Sequence, residues 1–215
     1  MPGTVSLPPV SLADLNAIDD LVAEVRWPHR RVDTGALIEL GHGRLVREGE
    51  DGPVLGVGLW WSFDDALARL GLIVVSPEAQ GRGLGRRLVE ALLADAAPCP
   101  VILLATRAGK PLYDKLGFVE TGSVSQHQGE YRGTPRPDPR VRPATSADRP
   151  AIAALDRAAF GVARPEVLDH LLAVGRAAVL VEDGRATGYA VERPFGRGSV
   201  IGPVVATSED DAIAL

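Results

Sequence analysis

Residues 80–85 read Gln-Gly-Arg-Gly-Leu-Gly, a stretch whose glycines can present bare backbone to a ligand. Before it, Leu70-Gly71-Leu72-Ile73-Val74-Val75 is the near-continuous apolar segment expected of a buried strand. After it, Leu84, Leu88, Ala91 and Leu92 fall on one face of a helix. A glycine-rich turn thus opens a helix directly after a core strand. The first N–H groups of a helix have no internal acceptor and lie at the positive end of its dipole. The chemistry implied is anion binding, above all of phosphate. The spacing excludes two phosphate loops: no Lys-Ser or Lys-Thr follows the glycines, and Gly81-x-Gly83 meets Arg86 where a dinucleotide fingerprint needs glycine. What stands here is Q-x-x-G-x-G, formed by Gln80, Gly83 and Gly85. The plain alternative is a turn that merely joins strand to helix.

A second landmark follows in residues 101–118, VILLATRAGKPLYDKLGF. Val101-Ile102-Leu103-Leu104 reads as a short buried strand. Pro111 suits a first helical turn and Gly117 the position after the last. Leu112 and Leu116, at i and i+4, are expected to face the core, leaving Tyr113 and Lys115 on other faces. Taken together and in this order, the Q-x-x-G-x-G loop and the LYDKLGF segment resemble the GNAT acyl-CoA N-acyltransferases.

That resemblance implies an α+β fold with a mixed, mostly antiparallel sheet flanked by helices. It implies acetyl-CoA as co-substrate, with no metal. Pyrophosphate would be held by backbone amides of Gln80, Gly81, Arg82, Gly83, Leu84, Gly85 and Arg86, the arginines and Arg87 adding positive charge. Each arginine taken singly reads equally well as solvated surface. The pantetheine arm would pair with the end of the strand at Ile73, Val74 and Val75, and the Val75 N–H would stabilise the oxyanion. Tyr113 matches the family's general acid, which protonates the leaving thiolate. Its alternative is a packing tyrosine with a hydrogen-bonded hydroxyl. The implied reaction moves an acetyl group to a primary amine; the alternative function is a non-catalytic acyl-CoA-binding regulatory or interaction module.

A base to deprotonate the amine is not identified. The strand 66–75 carries no carboxylate or histidine, and His29, in a loop between two helices, is the one candidate beside a water relay. Trp27, Trp60 and Trp61 could supply apolar surface to an acceptor, although alternation sends Trp60 and Trp61 to opposite faces. The acceptor itself is a small molecule or peptide amine, not otherwise specified. His42, His127 and His170 have no metal-ligand spacing.

The elements that must position these residues can be read in order. Ser11-Leu12-Ala13-Asp14 is a capping-box-like start to a helix with Leu15, Ile18, Val22 and Val25 on one face, ended by residues 27–31. A second helix includes residues 34–40. Strands are expected at 44–48, 54–63 and 66–75, joined by turns at Gly49-Glu50-Asp51-Gly52 and Asp64-Asp65. The glycine loop, a helix, a strand, a helix and a last strand complete a domain over residues 1–133.

Residues 134–140 alternate proline with polar residues and read as a linker. Beyond them the chain repeats itself. Asp148 follows Thr145 and Ser146 much as Asp14 follows Ser11, 134 residues earlier, and Gly188 matches Gly56 at an offset of 132. Residues 201–205 match the strand 70–75. After Val205 the sequence is Ala-Thr-Ser-Glu-Asp-Asp, with no glycine loop and three carboxylates where phosphate would lie. Ser208 and Asp211 read as an ordinary helix cap. Residues 141–215 are therefore expected to be a partial, degenerate copy of the fold without catalysis. Its open sheet edge would be covered by the first domain or by a second chain in a homodimer.

Composition narrows the rest. The net charge of -5 and the lack of a basic, aromatic-interleaved cluster argue against nucleic acid as a partner. The single cysteine, Cys99, excludes an internal disulfide and fits a cytoplasmic setting. Neither a signal peptide nor an 18-residue apolar run is recognised, so no membrane association is expected.

Overall fold

The computed structural model describes residues 5–49, 52–130, 132–134 and 137–215. The first four residues, Glu50 and Asp51 of the expected turn, and Pro135 and Arg136 of the expected linker lie outside them. The chain divides into two compact units, Met1–Gln128 and Gly129–Leu215.

In the first unit, β1 (Val5–Ser6) leads to a 3-10 turn at Leu12–Asp14, then α1 (Leu15–Glu24) and α2 (Arg31–Glu39). The capping box forms: the Asp14 carboxylate accepts from the Ser11 N–H and hydroxyl. Helix α1 buries Ile18, Leu21 and Val22. Then come β2 (His42–Glu48), β3 (Val54–Phe63), β4 (Leu67–Val75), α3 (Leu84–Ala96), β5 (Val101–Leu103) and α4 (Lys110–Lys115). The sheet order is β1-β2-β3-β4-β5, antiparallel except for the parallel β4–β5 pair. Asp64 and Asp65, both at φ 50, make the tight β3–β4 hairpin. Leu84, Leu88, Val89 and Leu92 of α3 form a core with Val46 and Leu70. The α+β architecture with a mixed sheet is as the sequence implies.

Two expectations need correction. Strand β5 is only half-buried: Val101 and Leu103 pack against the α3 core, but Ile102 is 42 % exposed and Leu104, just beyond the strand, 60 %. It is the last strand of its sheet and pairs only with β4, over three residues. Within the first unit, no strand follows α4 among the described residues. Instead the Gly117 N–H bonds to the Asp114 carbonyl and the Phe118 N–H to the Tyr113 carbonyl, the double closure of a Schellman motif with Gly117 at φ 85. Phe118 then packs edge-on against Tyr113, with ring centroids 5.7 Å apart, instead of running on as a strand.

The second unit contains β6 (Val141–Pro143), α5 (Arg149–Phe160), α6 (Pro165–Val174), β7 (Arg176–Glu182), β8 (Arg185–Phe195), β9 (Gly198–Val205) and α7 (Glu209–Ala214). Its sheet order is β6-β7-β8-β9, entirely antiparallel. Element for element this repeats β1 through α3. The irregularities repeat as well. The β2–β3 ladder shifts register between Val46 and Arg47, and the β7–β8 ladder between Leu180 and Val181, 134 residues on. The next pair is bulged opposite Gly58 in the first unit and opposite Val191 in the second.

Candidate functional site

The site begins with the end of β4. Opposite Gly58, β4 spends an extra residue, and Leu72 there takes a left-handed φ of 48. Beyond this bulge β4 continues to Val75, whereas β5 pairs only as far as Leu70. The last five residues of β4 therefore have no β5 partner. The Ser76 N–H donates to the Leu55 carbonyl at 2.9 Å, which makes Leu55 and Ser76 a hydrogen-bonded pair of the β3–β4 ladder. Alternation then turns the N–H and C=O of Val75 away from β3, into the gap left by β5. Ile73 shares with Val75 the face packed on the α3 core, whereas Val74 is buried on the other face and is part of the β3 ladder. Of the three strand residues expected to meet pantetheine, Val75 has a backbone N–H that faces away from β3 with no acceptor among the described residues.

The loop comes next. Gly81 (φ 76) and Gly83 (φ 75) adopt left-handed backbone, and Gly83 is the residue from which α3 starts. No side chain caps α3. Its first turn closes with the Arg87 N–H on the Gly83 carbonyl, so the N–H groups of residues 81–86 have no acceptor among the described residues. The Gln80 side-chain amide donates to the Val75 carbonyl at 3.1 Å. Gln80 thus ties the loop to the end of β4 and sets the distance between amide nest and strand. Arg82 pairs with Glu48 at 3.4 Å, Arg86 with Glu90 at 2.8 Å, and Arg87 donates to the Val5 carbonyl. A β-carbon on Gly85 would lie 3.5 Å from Leu112 and 3.8 Å from Val75, so that residue joins α3, α4 and β4 at close quarters.

Tyr113 differs from expectation. It is the buried residue of α4, 9 % exposed, while Leu112 and Leu116 are only partly buried. The helix has just six residues, and its tyrosine ring turns inward between Phe118 and the backbone of Gly109. Burial raises the phenol above its ordinary value, so it stays protonated across the neutral range. The hydroxyl makes no hydrogen bond among the described residues.

Trp60 and Trp61 are packing residues. Trp61 is buried against Gly41 and Gly71 and donates to the Leu37 carbonyl, and Trp60 stacks with His42 at 4.9 Å. They lie opposite Leu70 and Arg69, at the far end of β4 from Val75. Trp27 stays in the α1–α2 connection, 5.7 Å from His29. A carboxylate that sequence reasoning missed does reach the site. Glu24, the last residue of α1, accepts a hydrogen bond from the Ser76 hydroxyl at 2.9 Å. Nothing local in the sequence links positions 24 and 76; only the packing of α1 on the sheet brings them together.

A further cavity lies elsewhere. About 950 Å³ opens in the second unit beside Ile152, Leu172 and Ala177. Its rim arginines Arg142, Arg149 and Arg176 are paired with Asp148, Asp169 and Glu192. The start of α7 is likewise closed: the Ser208 hydroxyl accepts from the Asp211 N–H, and the Asp211 carboxylate accepts from Thr207, Ser208 and Arg140. Among the described residues no group of three or more His, Cys, Asp or Glu could hold a metal ion, and no helix is long and apolar enough to cross a membrane.

A strand end left open thus lies beside an uncapped glycine turn, with Tyr113 buried on the neighbouring α4. Family profiles describing an acetyltransferase (GNAT) domain match residues 41–120 and again 152–215, more than half of the sequence between them. The chain belongs to the GNAT acetyltransferase family, with a second GNAT domain at its C-terminal side. It is 32% identical over 151 residues to the uncharacterized N-acetyltransferase YitH of Bacillus subtilis, an alignment covering 68% of this chain and 54% of that protein. The chain thus spans about half the length of this curated relative. A crystallised acetyltransferase candidate from Pyrococcus horikoshii superposes with a TM-score of 0.75 over 98% of this chain and 74% of its own, at 20% identity. A Staphylococcus aureus protein aligns over 60% of this chain and 100% of its own, with a TM-score of 0.50 and 17% identity. These likenesses establish the fold.

Proposed function

We propose that the first unit transfers an acetyl group from acetyl-CoA to a primary amine carried by a small molecule or peptide. The observation that carries this reading is the pairing of two open backbone surfaces: the amides of residues 81–86 and the unpaired edge of Val75, tied together by Gln80. The amides and the start of α3 suit pyrophosphate, with Arg82 and Arg86 available to exchange their carboxylates for it. The edge of β4 suits the amide-bearing pantetheine arm. Held so, the thioester carbonyl meets the Val75 N–H, which receives the oxyanion when the amine attacks. Collapse of that intermediate breaks the C–S bond and leaves the electron pair on sulfur. The Tyr113 hydroxyl, loaded with its proton by burial, protonates the thiolate as the bond breaks.

The reading is tested by calorimetric titration of the chain with acetyl-CoA beside Gly83→Asp. Gly83 is left-handed and at the helix start, so the substitution adds both backbone strain and a carboxylate among the amides. Binding of one acetyl-CoA per chain is expected, weakened at least ~100-fold in the variant, or about 2.7 kcal/mol. Equal binding by both proteins would overturn the assignment of the loop.

A further inference from the structure

Transfer to an alkylamine needs a group to take a proton, because such amines are cationic at neutral pH, with values near ~10. The structure assigns this role to Glu24, and with it a preference for acceptors that arrive as ammonium ions. This rests on the proposed function of the same site. Three observations carry it.

The first is position. Glu24 Oε1 is 2.9 Å from the Ser76 hydroxyl, and Ser76 directly follows Val75, one Cα–Cα step of ~3.8 Å away. The side chain of Ser76 meets α1, so the carboxylate reaches the end of β4 from the face opposite the α3 core. A thioester lying along the Val75 edge is then flanked by α3 and Tyr113 on one face and by Glu24 on the other.

The second is availability. Around the α1–α2 connection, Arg30 is paired with Asp33 and Arg31 with Asp19. Glu24 is exposed and forms no ion pair among the described residues, and Ser76 occupies only one of its oxygens. A carboxylate accepting from a neutral hydroxyl retains its full charge for a ligand.

The third is its electrostatic setting. Glu24 is the last residue of α1, where the helix dipole places partial negative charge. A carboxylate there works against helix stability. The same arrangement attracts a cation. In the step, Glu24 accepts a proton from R–NH3+, and the freed lone pair forms the N–C bond at the thioester carbonyl. After C–S cleavage the amide nitrogen gives its surplus proton to water. Ser76 is a positioning residue that aims the carboxylate.

The test compares wild type, Glu24→Gln, Glu24→Asp and Ser76→Ala, each first shown to bind acetyl-CoA. Thiol release is followed with two acceptors: a primary alkylamine such as butylamine, and hydroxylamine, a nucleophile already neutral at pH 7.5. Glu24→Gln is expected to lose ~100-fold in kcat with butylamine and less than ~5-fold with hydroxylamine, while acetyl-CoA affinity is unchanged. Glu24→Asp should recover part of the loss, and Ser76→Ala should show a smaller loss of the same pattern. Equal effects of Glu24→Gln on both acceptors, or none on either, overturn the role of Glu24 and leave the transferase intact. Thiol release from wild type with neither acceptor, despite binding, removes this inference together with amine transfer.

Discussion

The two units share a frame and differ in what they leave open. Ile18 and Ile152, Leu45 and Val179, and Val46 and Leu180 occupy matching places at an offset of 134 and are buried in both. Both ladders carry their bulges at nearly the same height. At the helix after the fourth strand the units part. In the first, no side chain caps α3 behind Gly83; in the second, the Ser208 hydroxyl caps α7 at the Asp211 N–H, and Arg140 donates to the Asp211 carboxylate beside it. The fold supplies a helix N-terminus in either case. Whether that becomes a ligand site depends on a few loop residues, which decide if the donors face outward or are already spent.

The interiors differ in the same spirit. Where the first unit buries Val22 and Val57, the second buries Asp156 and Tyr189. Asp156 accepts from the Tyr189 hydroxyl and from both Nε and Nη2 of Arg164, whose guanidinium also lies 4.2 Å over the Phe160 ring. Burial opposes ionisation of Asp156, but Arg164 and Tyr189 outweigh it and hold the carboxyl below its usual value. Burial and the adjacent carboxylate raise the Tyr189 phenol. All members are satisfied, so this reads as a structural pin joining α5, α6 and β8.

The contrast can be broken most sharply at Tyr113. Tyr113→Phe is expected to lower turnover ~100-fold or more while leaving acetyl-CoA affinity within about twofold, as compared by stopped thiol assays and calorimetry. Tyr189→Phe, in the second unit, should leave turnover unchanged. A parallel loss in both variants would mean that the units do not divide the work as described.

Next in size is Asp156→Ala, which strands Arg164 beside a low-dielectric core. The second unit should lose about 3 kcal/mol. All three tryptophans lie in the first unit, so its urea transition, followed by tryptophan emission, should stay put. Hydrogen exchange of β7 and β8 should accelerate instead. An unchanged exchange pattern would show that the pin contributes nothing.

The smallest expected effect is in acid. In the second unit Asp138 is lowered by Arg140, Asp148 by Arg142 and the Thr145 N–H, and Asp211 by Ser208, joining Asp156. In the first unit the clear case is Asp95, lowered by Arg44. Depressed carboxyls contribute stability that is complete above the unfolded value near ~3.9 and is lost as the pH falls through their folded values. Between pH 5 and pH 2.5 the urea midpoint of the second unit should therefore drop further than that of the first. Equal drops would remove the distinction.

Much of this was legible in the chain itself. Period and caps placed α1, α2, α3 and the β2–β4 hairpins, because those segments carry local signals of alternation, turn residues and helix starts. The glycine loop and Tyr113 were visible as motifs. What escaped depends on contacts across the fold. Val101, Ile102 and Leu103 look like a core strand, yet the sheet ends there. Phe118 reads as the start of a strand until the Gly117 closure and the Tyr113 ring claim it. Helical spacing alone turned Tyr113 outward, whereas a six-residue helix at the sheet edge buries whichever ring fits. Glu24 carried no signal, since its meaning lies in a partner far along the sequence.

The bulge at Leu72 has a bearing on how this chain can change. A leucine in left-handed backbone costs about 1 kcal/mol, and glycine would relieve it. The same side chain is 8 % exposed, and deleting a buried leucine costs about 3 kcal/mol. Leu72→Gly should therefore lower stability by about 2 kcal/mol, measurable as an earlier melt of the first unit. Neutral drift has no downhill single step away from the bent strand, because every residue that would ease the backbone empties the core beneath it. In the second unit the bulge falls at Gly202 and Pro203, neither of them buried, next to an exposed Ile201. There no buried side chain stands at the bend, and a change at the bulge would not empty the core beneath it.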